Sequence, residues 1–115
     1  MRMQIIQQIL NREKLKQIAL DVFGNMVKGV VDIDKGLLAL DAELHADLEA
    51  LLLKSGSHQK NLWGINLYPE LNEPEFIEFD SMINMRPSQG NRSRGVEDAM
   101  IRKKILDVVH KWVSL

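Results

Sequence analysis

The sequence predicts an α+β domain: a mainly antiparallel sheet of four to five strands, with an N-terminal and a C-terminal helix packed on it. Three observations lead to this fold class. A helical apolar pattern follows Asn11, a second one begins near Val96, and short apolar runs separated by turn residues lie between them. That order is typical of a layered α+β domain. The chain has 115 residues, the size of one domain, so we expect residues 1–115 to form a single unit.

The N-terminal part is predicted to form a short strand followed by a helix. Met3 to Ile6 are a candidate edge strand. Asn11 is a suitable N-cap because its side-chain oxygen can accept a free backbone N–H of the first turn. The helix then runs to about Phe23, and Gly24 is placed to end it in the left-handed conformation. The apolar positions at helical spacing are Leu15, Ile18, Ala19 and Val22.

Residues 26–40 are predicted to form a β-hairpin. Val27, Val31 and Ile33 alternate with polar residues, as in a strand with one buried face. The sequence Asp-Lys-Gly then supplies turn residues before a second apolar run at 37–40. Both halves of a hairpin are therefore present.

Residues 42–53 fit both a helix and a strand. As a helix, the segment carries its leucines on one stripe, and its Ala, Glu and Leu content favours helix formation. As a strand, it places Leu and Ala on one face and charged side chains on the other. We interpret 49–53 as a strand that pairs with the run 62–68 across the turn at 55–57, and we leave 43–48 open.

The C-terminal half is predicted to contain two more strands and a helix. Trp63, Ile65 and Leu67 share one face of a strand, and residues 77–85 alternate in the same way. The closing helix extends over residues 96–113. In this arrangement helices cover one sheet face, and the other face is wet or available to a partner.

The composition excludes several functional classes. A formal net charge of −1 argues against general coating of DNA or of a membrane, which requires a basic excess. The absence of cysteine excludes disulfides and thiolate chemistry. Glutamines interrupt the apolar N-terminus, so neither a signal peptide nor a membrane span is predicted. We expect a cytoplasmic protein with no membrane partner and no cofactor.

Residues 86–95, here called the arginine loop, form the most informative segment. The loop holds three arginines and two glycines, and no acid occurs from Ser81 to Val96. Guanidinium groups and small donors suit an anionic ligand, although they could equally pin the loop to the chain's own acids. A nucleotide-binding P-loop is not expected, because Val96 and Glu97 stand where Lys and Ser or Thr are needed. The candidate ligand-binding residues are Arg86, Gln89, Asn91, Arg92, Ser93 and Arg94.

A second candidate site is the set Glu43, His45, Asp47 and Glu49. If this segment is extended, the four side chains line one face and are weak candidates for a Mg²⁺ or Mn²⁺ site. Alternatively, His45, Glu43 and Asp47 are candidate catalytic groups, with a carboxylate beside an imidazole as a general base. If the segment is helical, the four side chains scatter around the axis and both interpretations fail. A solvated strand face explains the same pattern without a site.

Two longer motifs resemble a known family. The chain carries Leu-Trp-Gly-Ile-Asn at 62–66 and Arg-Pro-Ser-Gln-Gly-Asn-Arg-Ser at 86–93. With these motifs it resembles a family of small prokaryotic single-domain proteins that is catalogued only as a domain of unknown function. The resemblance covers nearly the whole chain and implies a free-standing cytoplasmic protein. It implies no activity, cofactor or catalytic residue.

Two functional hypotheses follow from these residues. The favoured one is a non-enzymatic binding module whose arginine loop grips an anionic ligand or protein partner. RNA is a weaker candidate, because Phe76 and Phe79 have opposite strand parity and cannot both stack bases on one face. The alternative is a small hydrolase or nuclease-like enzyme that uses His45 or Glu43 with the loop arginines. A homodimer through an uncovered sheet face or edge is compatible with either hypothesis.

Overall fold

A five-stranded antiparallel sheet with three helices makes up the computed structural model, which describes residues 2–115. The α+β class and the strand number are therefore confirmed. In chain order the elements are β1 (Gln4–Ile5), β2 (Leu10–Asn11), α1 (Arg12–Val22), β3 (Val27–Asp32), β4 (Leu37–Leu40), α2 (His45–Lys54), β5 (Leu62–Leu67), β6 (Ile77–Glu78), α3 (Ala99–Trp112) and β7 (Val113–Ser114). The sheet order is β1-β4-β3-β5-β6, and a separate parallel ladder joins β2 to β7.

The N-terminal elements form where local signals predicted them. Ile5 of β1 pairs with Ala39 of β4, so the first strand lies at an edge of the sheet. The side-chain oxygen of Asn11 accepts the backbone N–H of Lys14 at 2.8 Å and caps α1. Gly24 follows the helix with a φ of +91°, a left-handed conformation that glycine adopts without steric strain. The predicted cap and stop of α1 are both confirmed.

The hairpin of β3 and β4 is also confirmed, and a buried aspartate holds its turn. Asp32 ends β3 with its side chain fully buried. One carboxylate oxygen accepts the backbone N–H groups of Asp34 and Lys35, each at 2.9 Å. The other accepts the Ser57 hydroxyl at 2.6 Å, so the turn is fixed to the loop that follows α2.

One face of the sheet carries the larger apolar core. Val31 of β3 and Ile65 of β5 belong to this core, together with Leu15 of α1 and Ile105 of α3. These side chains are fully buried. Burial of apolar surface on this scale is the main force that holds the two helices and the sheet together.

The strand interpretation of residues 49–53 is wrong, because His45–Lys54 form the helix α2. Its side chains Leu48 and Leu52 are four residues apart and lie on one helix face. They are fully buried in a second core with Val30 and Leu62 of the sheet. An apolar patch on the second sheet face therefore selects the helix, and the expectation of an uncovered second face is corrected. The proposed hairpin with 62–68 is also wrong, since β5 pairs with β3 and β6.

The predicted strand at 77–85 is mostly wrong as well, because pairing stops after Glu78. From there the chain turns across the sheet edge through a short 3-10 turn at Met82–Asn84. The amide side chain of Asn84 accepts the N–H of Gly64 at 2.8 Å and donates to its C=O at 2.9 Å. The Asn84 side chain thus makes the two hydrogen bonds to the β5 backbone that a longer β6 would otherwise make.

The close approach at this point requires glycine at position 64. A Cβ added to Gly64 would lie 2.5 Å from the Cβ of Ser81, which is closer than real side chains approach.

Across the described residues 2–115, the helices are too short or too polar to cross a bilayer.

Candidate functional site

Arg86 of the arginine loop lies inside the protein. Its guanidinium donates from Nε to the carbonyl of Ile83 at 3.1 Å, from Nη1 to that of Gln59 at 2.8 Å, and from Nη2 to that of Leu62. The group stacks over the ring of Trp63 at 4.2 Å. Burial lowers the pKa of Arg86 from its ordinary value. Because its donors are used by backbone carbonyls, Arg86 closes the open edge of β5 and anchors the loop.

Asn91 organises the rest of the loop. Its side-chain nitrogen donates to the carbonyls of Asn84 at 2.7 Å and Gly95 at 2.8 Å. Its side-chain oxygen accepts the backbone N–H of Glu97 at 2.9 Å. The buried amide therefore joins both ends of the loop to the segment before α3. Gln89 has a similar but more exposed role, since its side chain donates to the carbonyl of Lys60 at 3.3 Å.

A carboxylate of the chain already occupies the backbone donors of the loop. Glu97 accepts the N–H groups of Arg92 at 2.5 Å and Ser93 at 3.0 Å with one oxygen. These bonds, led by the one from Arg92, lower the pKa of Glu97. The Glu97 carboxylate therefore competes with any anion that would bind these two N–H groups. The side chain of Arg92 is exposed and makes no hydrogen bond within the described part of the chain.

Arg94 is the loop arginine that reaches a cavity. Its Nε donates to Asp80 at 2.6 Å, and this bond raises the pKa of Arg94. The two terminal nitrogens make no hydrogen bond to residues 2–115. Arg94 lines a cavity of about 170 Å³ at the N-terminal end of α2. Its lining consists of Lys28, Leu44, His45, Ala46, Ser81, Met82, Ile83 and Arg94. We call this space the α2 cavity.

Lys28 and Arg94 line the α2 cavity, and no carboxylate does, although Asp80 pairs with Arg94 from outside the lining. Lys28 projects from β3 on the same sheet face as Val30, and its ammonium lies 5.4 Å from the centre of the Phe23 ring. It has no acidic partner within salt-bridge distance among the described residues. Ser81 accepts the N–H of Ile83 at 3.3 Å, and its hydroxyl proton has no acceptor in the described chain. The lining therefore offers several hydrogen-bond donors to an occupant.

His45 is the first residue of α2 and is only 8% exposed. Its Nε2 lies 2.8 Å from the carbonyl oxygen of Ile65, which can only accept. Burial lowers the pKa of His45, and the charge of Lys28 adds to this effect. The Ile65 carbonyl, the Asn66 side chain and Asp80 oppose it. The neutral ring thus carries its proton on Nε2, and Nδ1 keeps a lone pair.

The other members of the predicted metal and catalytic set do not join His45. Because residues 45–54 are helical, Asp47 and Glu49 point in different directions around the axis. Neither they nor Glu43 line the α2 cavity. Within residues 2–115, no three His, Asp or Glu side chains are close enough to hold a metal ion. The extended face on which both earlier interpretations depended does not form.

A polar network lies next to the cavity on the same sheet face. Asn66, paired with Lys28 across β3 and β5, donates to Glu78 at 2.8 Å. Tyr68 also donates to Glu78 at 2.8 Å. Burial and this carboxylate raise the pKa of Tyr68 to about 12. Two neutral donors thus hold the Glu78 carboxylate, and this carboxylate does not line the cavity.

Sequence reasoning missed two cavity residues, Lys28 and Ser81. Lys28 had a usable signal, because it is a cation at the start of a strand that is otherwise apolar up to Asp32. Ser81 had none, since its place depends on the turn after β6 and on its contact with Gly64.

Comparison with known proteins identifies the family and nothing more specific. The chain matches the family model described as "Protein of unknown function (DUF5674)" over residues 4–112. No curated protein and no solved structure matched the chain. Since the model covers nearly the whole chain, the protein belongs to this family of unknown function.

Proposed function

We propose that this member of a family of unknown function is a binding module for an anionic ligand, and that the α2 cavity is the binding site. The observation that carries the proposal is a lining with Lys28 and Arg94 and without a carboxylate. Asp80 pairs with Arg94 at 2.6 Å, whereas Lys28 has no acidic partner among the described residues, so an excess positive charge remains beside the cavity. This charge attracts an anion and makes a favourable contribution to the free energy of binding.

The hydrogen-bond arrangement supports the same assignment. Arg94 has one nitrogen committed to Asp80 and two left for a ligand, which suits a bidentate contact to an oxyanion. Ser81 adds a hydroxyl donor. Leu44, the residue before α2, offers no side-chain cap to the helix. The N–H groups of His45 and Ala46 therefore remain open to a negatively charged group at the cavity, whereas that of Asp47 donates to the Leu44 carbonyl at 3.2 Å.

Most of the loop residues predicted to bind a ligand lie outside this site. Arg86, Gln89 and Asn91 bind the protein's own carbonyls, and Glu97 fills the loop's backbone donors. The loop contributes Arg94 alone to the cavity. Its remaining residues act as the frame that holds this arginine in place. We further propose that the protein acts in the prokaryotic cytoplasm, in keeping with its lack of cysteine.

Hydrolysis of a bound anionic ester is a second candidate function. It is favoured by His45, whose unprotonated Nδ1 belongs to the same cavity as the two cations. A neutral imidazole beside cations is a workable general base. Incubation with a phosphate ester and assay of the released product tests this candidate, and a rate equal to that in buffer excludes it.

Titration calorimetry with inorganic phosphate tests the binding proposal. Lys28→Gln and Arg94→Gln should each weaken binding roughly tenfold, because each removes a charged contact worth about 1.5 kcal/mol. Binding to the wild type should weaken as salt rises. The matched control is Arg92→Gln, which removes an exposed loop arginine outside the cavity and should leave the affinity unchanged. An equal loss in all three variants, or no binding to the wild type, would contradict the proposal.

A further inference from the structure

The α2 cavity combines donors with one acceptor, and this combination narrows the class of ligand. Lys28, Arg94 and Ser81 present donors. His45 presents the opposite group, because its Nε2 faces the Ile65 carbonyl and its Nδ1 makes no hydrogen bond to the described residues. Since His45 lines the cavity, the lone pair of Nδ1 is the acceptor that this residue can offer to an occupant.

A fully ionised oxyanion does not match this arrangement. Its oxygens satisfy the cations, but an oxygen placed against the Nδ1 lone pair is repelled. An oxyanion that carries one proton satisfies both, since it accepts from Lys28 and Arg94 and donates to His45. Phosphate groups with a second ionisation near pH 6 retain such a proton close to neutrality. Sulfate, carboxylates and phosphate diesters do not.

Building on the anion-binding function proposed above, we infer that the α2 cavity selects a phosphate group that carries a proton, namely a phosphate monoester or free phosphate. The cavity volume of about 170 Å³ fits a head group and is well below the size of a pocket for a whole drug-sized ligand. Leu44 and Met82 line the cavity and are exposed, at 56% and 63%. They offer apolar surface at the mouth to the organic part of a monoester.

Calorimetric titrations near pH 6 at constant ionic strength test the inference, because about half of a phosphate monoester carries the proton there. Methyl phosphate should bind roughly tenfold more tightly than sulfate and dimethyl phosphate, the difference expected for one hydrogen bond to a charged group. Phenyl phosphate distinguishes the two sources. Tighter binding of phenyl phosphate than of inorganic phosphate assigns the site to a monoester, and equal or weaker binding assigns it to free phosphate.

His45→Gln is the matched variant. The glutamine amide can still donate to the Ile65 carbonyl, but it has no acceptor at the position of Nδ1. The variant should lose the preference for methyl phosphate over sulfate while both anions still bind. If the variant does not fold, the wild type supplies a second measurement. Its affinity for sulfate should rise as the pH falls, because protonated His45 then donates from Nδ1; the charged groups acting on the ring are Lys28 and Asp80.

The outcomes separate the two proposals. Equal affinity for methyl phosphate, dimethyl phosphate and sulfate in the wild type overturns the inference and leaves the anion-binding function intact. Failure of every anion to bind overturns the anion-binding function, and the inference with it. A sulfate affinity that does not change with pH contradicts the assigned role of Nδ1.

Discussion

At the scale of single residues, the side chains of the arginine loop divide by what their donors contact. Arg86 is 9% exposed, and its guanidinium donates to backbone carbonyls at the edge of β5. Arg94 keeps two nitrogens for the α2 cavity. Both are arginines of the same loop, so the difference in their contacts comes from the open β5 edge beside Arg86. A conspicuous arginine motif therefore serves the fold at one position and the site at another.

Arg86→Lys should destabilise the protein by on the order of 3 kcal/mol, because a single ammonium cannot reach the carbonyls of Ile83, Gln59 and Leu62 together. Urea unfolding measures the free energy. The matched control is Arg92→Lys at an exposed position, where the change should stay within about 0.5 kcal/mol. Equal stability of the two variants would show that Arg86 does not anchor the loop.

At the scale of elements, α2 connects the second core to the candidate site. The helix buries Leu48 and Leu52 on the sheet, and this packing fixes where its first turn lies. His45 and the open backbone N–H groups are thereby placed beside Lys28. The helix begins without a side-chain cap at Leu44, where Ser, Thr, Asp or Asn is the usual choice.

Replacement of Leu44 tests this relation between stability and binding. Leu44→Ser and Leu44→Asp should each stabilise the protein by about 1 kcal/mol, since either side chain can cap the first turn. Leu44→Asp should bind phosphate at least about tenfold more weakly than Leu44→Ser, because its carboxylate repels the anion. Urea unfolding and calorimetry on both variants measure the two effects. Similar phosphate affinities for the pair would place the bound anion elsewhere.

The elements that sequence alone predicted are those with local determinants. Asn11 caps α1 through its own side chain, and Gly24 supplies the positive φ that stops it. The secondary structure of residues 49–53 depends instead on residues distant in the sequence. Its leucines fit the period of a helix and that of a strand, and packing on the apolar sheet face selects the helix. The run at 77–85 alternates like a strand, yet Asn84 replaces strand pairing with side-chain bonds. Side-chain hydrogen bonds that replace strand pairing do not change the apolar periodicity of the sequence.

The candidate site was predictable to a smaller degree. His45 and Arg94 attracted attention as residue types, and both line the α2 cavity. Their partner Lys28 comes from β3, and only the register of the sheet places it opposite Asn66 and near His45. The sequence offered Glu43, Asp47 and Glu49 as partners for His45, because an extended segment would have aligned them. Helix formation removes that alignment.

At the scale of the whole molecule, the dependence of stability on pH should fall into two windows. The folded pKa of His45 is lowered, so the unfolded state binds more protons, and stability decreases as the pH falls below about 6.5. The folded pKa of Glu97 is lowered from 4.5, so its contribution is present above that pH and is lost as the pH falls through the folded value. The first window reports on the α2 cavity, and the second on the arginine loop.

Urea midpoints measured from pH 7 to pH 3 in a buffer without phosphate should separate these windows. His45→Gln should flatten the curve where the pH falls below about 6.5, because the variant has no proton to take up there. Glu97→Gln should be less stable than the wild type at pH 7 and should lose less stability below about pH 4.5. His58→Gln removes an exposed histidine and should keep the wild-type slope. A wild-type slope for His45→Gln below about pH 6.5 would mean that burial of His45 is not linked to folding. A wild-type slope for Glu97→Gln below about pH 4.5 would mean that this carboxylate does not stabilise the arginine loop.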